Sequence, residues 1–253
     1  MAAIAPEDHQ QSDEAEKAPP GKGKRRLHET IVEDIAREVL VGTLAAGSTL
    51  PADLVLTAHY GVSRTVIREA IQALAGMGIV DVRHGAGTYV NTHDHWDLLD
   101  PQLLQLIGQT GKISIFIDDL LDIRRMFEVE AVTLAARRAT PEDIAELERL
   151  VVAMKDPNAS EQDQLDLNLE FHSAIVHASH NRILRNLREQ LRGVLSVMMN
   201  ARQSQADDGM RIVSTTMHEM LVQAIKERRP DRAQAVMLTH VQGAERSLQT
   251  RTD

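Results

Sequence analysis

Three histidines, His172, His218 and His240, stand on the apolar stripes of three separate predicted helices, where core residues are expected. Met217, Leu221 and Ile225 flank His218, while Ala233, Val236, Met237, Val241 and Ala244 flank His240. His172 follows Asn168 by four residues, which puts the two on one helical face. An imidazole is costly in a bundle core unless something satisfies its nitrogens, so one histidine on an apolar face is ordinarily a satisfied core residue. Three that converge imply a metal or an anionic ligand inside the bundle. Neutral imidazoles suit zinc or nickel, and an open coordination position would admit a carboxylate. The same set describes a hydrolytic zinc centre, but that needs a general base. Glu170 lies two residues from His172 and points away, and no His-Glu-x-x-His occurs.

Arg124 offers two parallel donors to a carboxylate ligand; its alternative partner is Glu128, one turn later. Asp166 lies six residues before His172, on another face, and His177 and His180 fall at offsets that turn them outward to the surface. Asn181 opens a helix and is a candidate cap.

A helical bundle must position these groups, and the composition provides one. Hydrophobic residues make up 43% of the 253 and aromatics only 2%, so the core is aliphatic, which favours helices. With no cysteine, disulfides and thiolate metal sites are excluded, which fits a reducing cytoplasm. No apolar run approaches a membrane span and no signal-peptide pattern opens the chain, so the expected location is cytoplasmic. The net charge of -9 divides as -4 over residues 1–21, +1 over 22–90 and -6 beyond. A basic face on the N-terminal part is therefore compatible with an acidic whole.

Residues 1–26 read as a disordered tail, ending in Lys22, Lys24, Arg25 and Arg26, either an arm for phosphate or a solvated charge run. Residues 27–91 read as one DNA-binding domain. Ile31, Ile35, Val39 and Leu40 give a first helix, and a short second helix spans about 53–59. Tyr60-Gly61-Val62 turns, and Ser63 caps a third helix with Val66, Ile67, Ala70, Ile71 and Leu74 inward. A hairpin through His84-Gly85-Ala86-Gly87 follows as a wing. Residues 92–111 read as a linker and short helix able to pack on either domain. Residues 112–250 read as an all-α domain with helices near 115–138, 141–154, 162–179, 181–201, 208–227 and 231–248. The expected fold is mostly α, a winged helix-turn-helix followed by an all-α bundle.

Gly47-Ser48-Thr49-Leu50-Pro51, Gly61 to Ala70 and Arg83 to Val90 resemble the winged helix-turn-helix of the GntR family of bacterial transcription regulators. Leu121-Asp122-Ile123-Arg124, Glu128, Phe171-His172, Asn181, His218 and His240 resemble the FCD ligand-binding domain of its FadR-like subfamily. Trp96 to Asp100 is similar to regulators of sugar-acid catabolism. The resemblance implies a ligand-responsive homodimer on double-stranded operator DNA, in most members a repressor released by its effector, here a sugar acid or small carboxylate. It implies that Ser63, Arg64, Thr65 and Arg68 face DNA from the third helix and His84 and Gly85 from the wing. It also implies effector contacts from Arg124, Asn168, His172, His218 and His240, and one divalent metal per chain, zinc or nickel, on the three histidines and Asn168. Acyl-thioester sensors of the family lack these histidines.

The chain departs from the pattern twice. The family's Glu-Arg after Leu-Pro is Asp53-Leu54, so an arginine that contacts DNA is absent. The family's metal-binding aspartate is Asn168, a neutral and weaker donor, which leaves a metal-free pocket as the alternative.

Overall fold

The computed structural model describes residues 22–203 and 208–249, with side chains over 27–200, 212–243 and at 246. The N-terminal unit consists of α1 (Lys22–Val41), α2 (Asp53–Tyr60), α3 (Arg64–Gly76) and the hairpin β1 (Val80–Arg83) and β2 (Gly87–Val90). The strands pair antiparallel from Val80↔Val90 to Arg83↔Gly87, and Thr49 adds a bridge to Tyr89. Gly61 ends α2 in the left-handed region (φ 64°), the conformation that lets the chain turn at once into α3. Of the tail expected over residues 1–26, residues 1–21 lie outside the described residues, and helical backbone begins at Lys22.

The bundle follows as α4 (Pro101–Gln109), α5 (Ile117–Arg138), α6 (Pro141–Met154), α7 (Glu161–Ala178), α8 (Arg182–Asn186), α9 (Arg188–Gln203), α10 (Asp208–Lys226) and α11 (Pro230–Gln249). Local chemistry sets these starts. Asp100 accepts from the Gln102 and Leu103 amides, with Pro101 in the first turn. Thr140 with Asp143 and Ser160 with Asp163 form reciprocal capping boxes for α6 and α7. The single helix expected over 181–201 is instead two. Asn181 caps α8, which stops at Leu187 (φ -88°, ψ 6°) before α9 begins.

The linker helix α4 belongs to both halves. Leu103, Leu104, Leu106 and Ile107 are buried in one core that also holds Ile31, Ile67 and Leu74 of the N-terminal unit and Val194, Val197 and Met198 of α9. Glycines allow this approach: a Cβ on Gly193 would stand 3.1 Å from Leu104 Cδ1. Gly78 (φ 73°) is held tighter still, since its Cβ would overlap the His95 carbonyl oxygen at 2.0 Å. A second core fills the bundle, with Ala131, Leu147, Leu150, Phe171, Ile175, Leu221 and Met237. α9 touches both cores, because Leu191 belongs to the second. Among the described residues no helix is long and apolar enough to cross a membrane.

Candidate functional site

Four helices bring the bundle histidines together. α7 supplies His172, with Asn168 one turn earlier, α10 supplies His218, α11 supplies His240, and α5 supplies Arg124 and Glu128. All three imidazoles are buried, and one ring nitrogen from each lies within 4.8 Å of the others. Ring centroids are 5.4 Å apart from His172 to each of the other two and 4.8 Å apart between His218 and His240.

Their partners fix which nitrogens are available. His218 Nδ1 lies 3.3 Å from Met154 Sδ, a weak acceptor that suits a protonated nitrogen and assigns the lone pair to Nε2. His172 Nδ1 is in direct contact with Glu128 Oε1. A carboxylate behind an imidazole orients the ring and raises the basicity of its other nitrogen. Nε2 of His172 and Nε2 of His218 are both buried without a hydrogen-bond partner, and so is Asn168 Oδ1.

Glu128 is the hub on the other side. Arg124 Nε donates to its Oε2 at 2.6 Å, in an ion pair with both side chains buried. Burial pushes the Glu128 carboxyl up, but the Arg124 guanidinium and the His172 ring against it outweigh that and hold the group well below the usual carboxylate range. Burial, then His240, His172 and Arg124, push the His218 imidazole well below its ordinary value, so it is neutral. The pairing of Arg124 with Glu128 uses only one edge of the guanidinium, and Nη1 is buried without a partner.

These unpaired atoms test what the site fits. Two imidazole lone pairs and an amide oxygen are acceptors that a cation would satisfy, and Arg124 Nη1 is a donor that a carboxylate oxygen would satisfy. The donor set therefore fits a divalent ion with an anion beside it. An open cleft is lined by His172 and Glu128 together with Leu191, Leu195, Arg188 and Arg192 of α9. Arg188 and Arg192 escaped the sequence reading, because the break before α9 that sets their facing was not foreseen. Met154 carried no polar signal at all. Glu128 was legible from its spacing to Arg124.

The other expected residues fall as follows. Asp166 accepts from Gln162, and Glu170 is exposed, away from the histidines. His177 and His180 turn outward, yet they are not merely solvated: Asp143 accepts from them at 3.2 and 2.7 Å. Asn181 accepts from the Ile183 and Leu184 amides as the cap of α8.

On the N-terminal unit, Arg64, Thr65 and Arg68 are exposed along the first two turns of α3, and among the described residues Arg64 makes no ion pair. Ser63 is the N-cap, its hydroxyl accepting from the Val66 amide at 3.4 Å, which fixes the helix start and leaves the hydroxyl proton to donate. Arg68 Nε donates to Asp53 Oδ2 at 3.2 Å, tying the second turn of α3 to the start of α2. His84 and Gly85 form the exposed tip between β1 and β2, with Gly85 at φ 74°. Arg83, which the sequence reading passed over, pairs with Asp81 at 2.9 Å and lies 4.3 Å over the Tyr89 ring, stiffening the wing.

Comparisons with known proteins agree with both halves. Residues 27–90 match the gntR family of bacterial regulatory proteins, and residues 119–243 match the FCD domain. The chain is similar to the galactonate operon transcriptional repressor of Escherichia coli K12, with 25% identity over 221 residues, 86% of this chain and 95% of that one. It is also similar to the transcriptional regulator LutR of Bacillus subtilis, with 29% identity over 212 residues, 81% and 93% of the two chains. Among solved structures, Lar of Listeria monocytogenes shares the fold at TM-score 0.60 and 16% identity, over 92% of this chain and all of that one (100%). Nothing in these likenesses supports the hydrolase alternative, since the relatives are transcription regulators and not enzymes. An N-terminal winged helix-turn-helix joined to this histidine-bearing bundle identifies the chain as a member of the gntR family of bacterial transcription regulators, with an FCD domain as its C-terminal half.

Proposed function

We propose that the chain is a cytoplasmic, homodimeric repressor that leaves its operator when a sugar acid or small carboxylate binds in the bundle beside a divalent ion. The observation that carries this reading is the complementary set of buried unpaired atoms: Nε2 of His172 and His218 and Oδ1 of Asn168 as acceptors, with Arg124 Nη1 as donor. His172, His218, His240 and Asn168 would hold the ion, zinc or nickel, which when bound supplies a Lewis-acid anchor for an acid's oxygens. Arg124 binds the effector's carboxylate through Nη1, and Glu128 keeps Arg124 and His172 in place. The likeness to a galactonate operon repressor supports a sugar acid and the repressor sign.

α9 is the route to DNA. It lines the cleft through Arg188, Leu191 and Arg192 and packs on α4 through Gly193, Val194, Val197 and Met198. Effector binding that displaces α9 therefore moves the linker helix, and with it the spacing of two α3 helices in a dimer. On DNA, Arg64 and Arg68 read base edges from α3, Ser63 and Thr65 position the backbone, and His84 and Gly85 approach the minor groove.

Because Asn168 replaces a charged ligand, a second reading is a metal-free site in which neutral imidazoles bond the anion directly. Thermal shift against aldonic acids and small carboxylates, with and without chelator, separates the two. A shift abolished by chelator supports the metal reading and a chelator-insensitive shift the metal-free one. If no acid shifts the melting temperature, the carboxylate assignment fails. Arg64→Ala should bring binding to selected operator DNA down to the level of scrambled DNA, and unchanged discrimination would remove α3 as the reader.

A further inference from the structure

We propose that Asp53 is a specificity-positioning residue of the DNA interface, which aims Arg68 at base edges and keeps it off the phosphates. The proposal rests on the reading of α3 as the groove helix. Arg68 stands in the second turn of α3, and among the described residues its one ion pair is the single bond from Nε to Oδ2 of Asp53, the first residue of α2. Its side chain is 73% exposed and thus largely open to solvent. A guanidinium carries five donors in a rigid plane. With Nε occupied, the pair of Nη atoms forms the free edge, the edge that matches guanine O6 and N7.

Two physical effects follow from the acid at this place. An exposed arginine loses substantial rotamer freedom when it engages a base, and a partner that holds the plane beforehand reduces that loss. An uncompensated carboxylate beside DNA would also repel phosphate. Arg68 cancels that repulsion only while it stays on Asp53, so swinging to a backbone oxygen exposes the acid. The next residue, Leu54, is 64% exposed and offers no charge. At this corner of the interface, Arg68 is thus the one cation on α2 and the first two turns of α3 besides Arg64, and Asp53 decides where it points.

The test uses the full chain and two duplexes, one selected by the wild-type protein from a random-sequence library and one scrambled. Asp53→Ala should lower the ratio of selected to scrambled affinity about tenfold, within the range that one bidentate arginine supplies. It should also steepen the salt dependence on scrambled DNA by about one charge as Arg68 is freed to meet phosphate. Asp53→Glu should retain discrimination, and circular dichroism should show α2 intact in both variants. In an Arg68→Ala background, Asp53→Ala should cause no further loss of discrimination. An equal loss with and without Arg68, or no loss in either, would overturn the proposal. If Arg68→Ala alone leaves discrimination unchanged while Arg64→Ala abolishes it, the groove-helix reading stands and the role of Asp53 falls. If neither arginine matters, the reading of α3 itself fails.

Discussion

Arg124→Met removes one partner from the buried ion pair and leaves Glu128 to be compensated by His172 alone. Both side chains of the pair are essentially inaccessible, at 1% and 5% exposure, so water cannot replace the lost partner. Breaking such a pair costs about 3 to 5 kcal/mol, and the low end applies because the His172 ring remains against Glu128. For a protein of this size that corresponds to a fall in melting temperature of roughly 6 to 12 °C. The double substitution Arg124→Met with Glu128→Leu removes both charges and should recover most of the loss, since apolar residues of similar volume are neutral or stabilising at such places. Thermal unfolding of the three proteins in metal-free buffer measures this directly. A single variant as stable as wild type, or a double variant less stable than the single, would refute the view that Glu128 is a buried anion held by Arg124. A bound-metal assay on the single variant adds a second reading. Glu128, freed from Arg124, no longer holds the His172 ring in place, so affinity should fall even though Arg124 is not among the proposed ligands.

Asp143 offers a pH test away from the bundle centre. Burial pushes its carboxyl up, but hydrogen bonds from the Thr140 amide, His180 and His177 bring it down to about 2 from an ordinary 3.8. A depressed folded-state value means the contribution is complete above about pH 4 and is lost as pH falls to about 2. Solvent screening keeps it below about 2 kcal/mol, so Asp143→Asn should be less stable at neutral pH and converge with wild type in strong acid; a constant gap across pH would contradict this. Gly193→Val should press on Leu104 and the Pro101 backbone, costing about 1 to 3 kcal/mol of stability. If α9 couples the sites, that variant binds effector with DNA release weakened, and a normal release curve would dismiss the route. Gly78→Ala should lose at least about 2 kcal/mol in chemical denaturation, because a strained left-handed backbone and a clash with the His95 carbonyl act together.

What the sequence determined alone was local and periodic. The stripe of Val66, Ile67, Ala70, Ile71 and Leu74 behind Ser63 specifies a capped amphipathic helix, and the Gly61 turn specifies how it leaves its neighbour. Three histidines on apolar stripes could only converge, because a bundle has one interior. The cap at Asn181 was readable because it acts within three residues. The tertiary structure decided whatever depends on residues far apart in the chain. The Met154 sulfur selects the tautomer of His218 from 64 residues away, Asp143 collects His177 and His180, and Asp53 takes Arg68. The break at Leu187 rotates α9 so that one face meets the cleft and another meets α4, which no periodicity within either segment announces. Spacing along a helix fixes which side chains share a face, but only packing between helices fixes what that face meets.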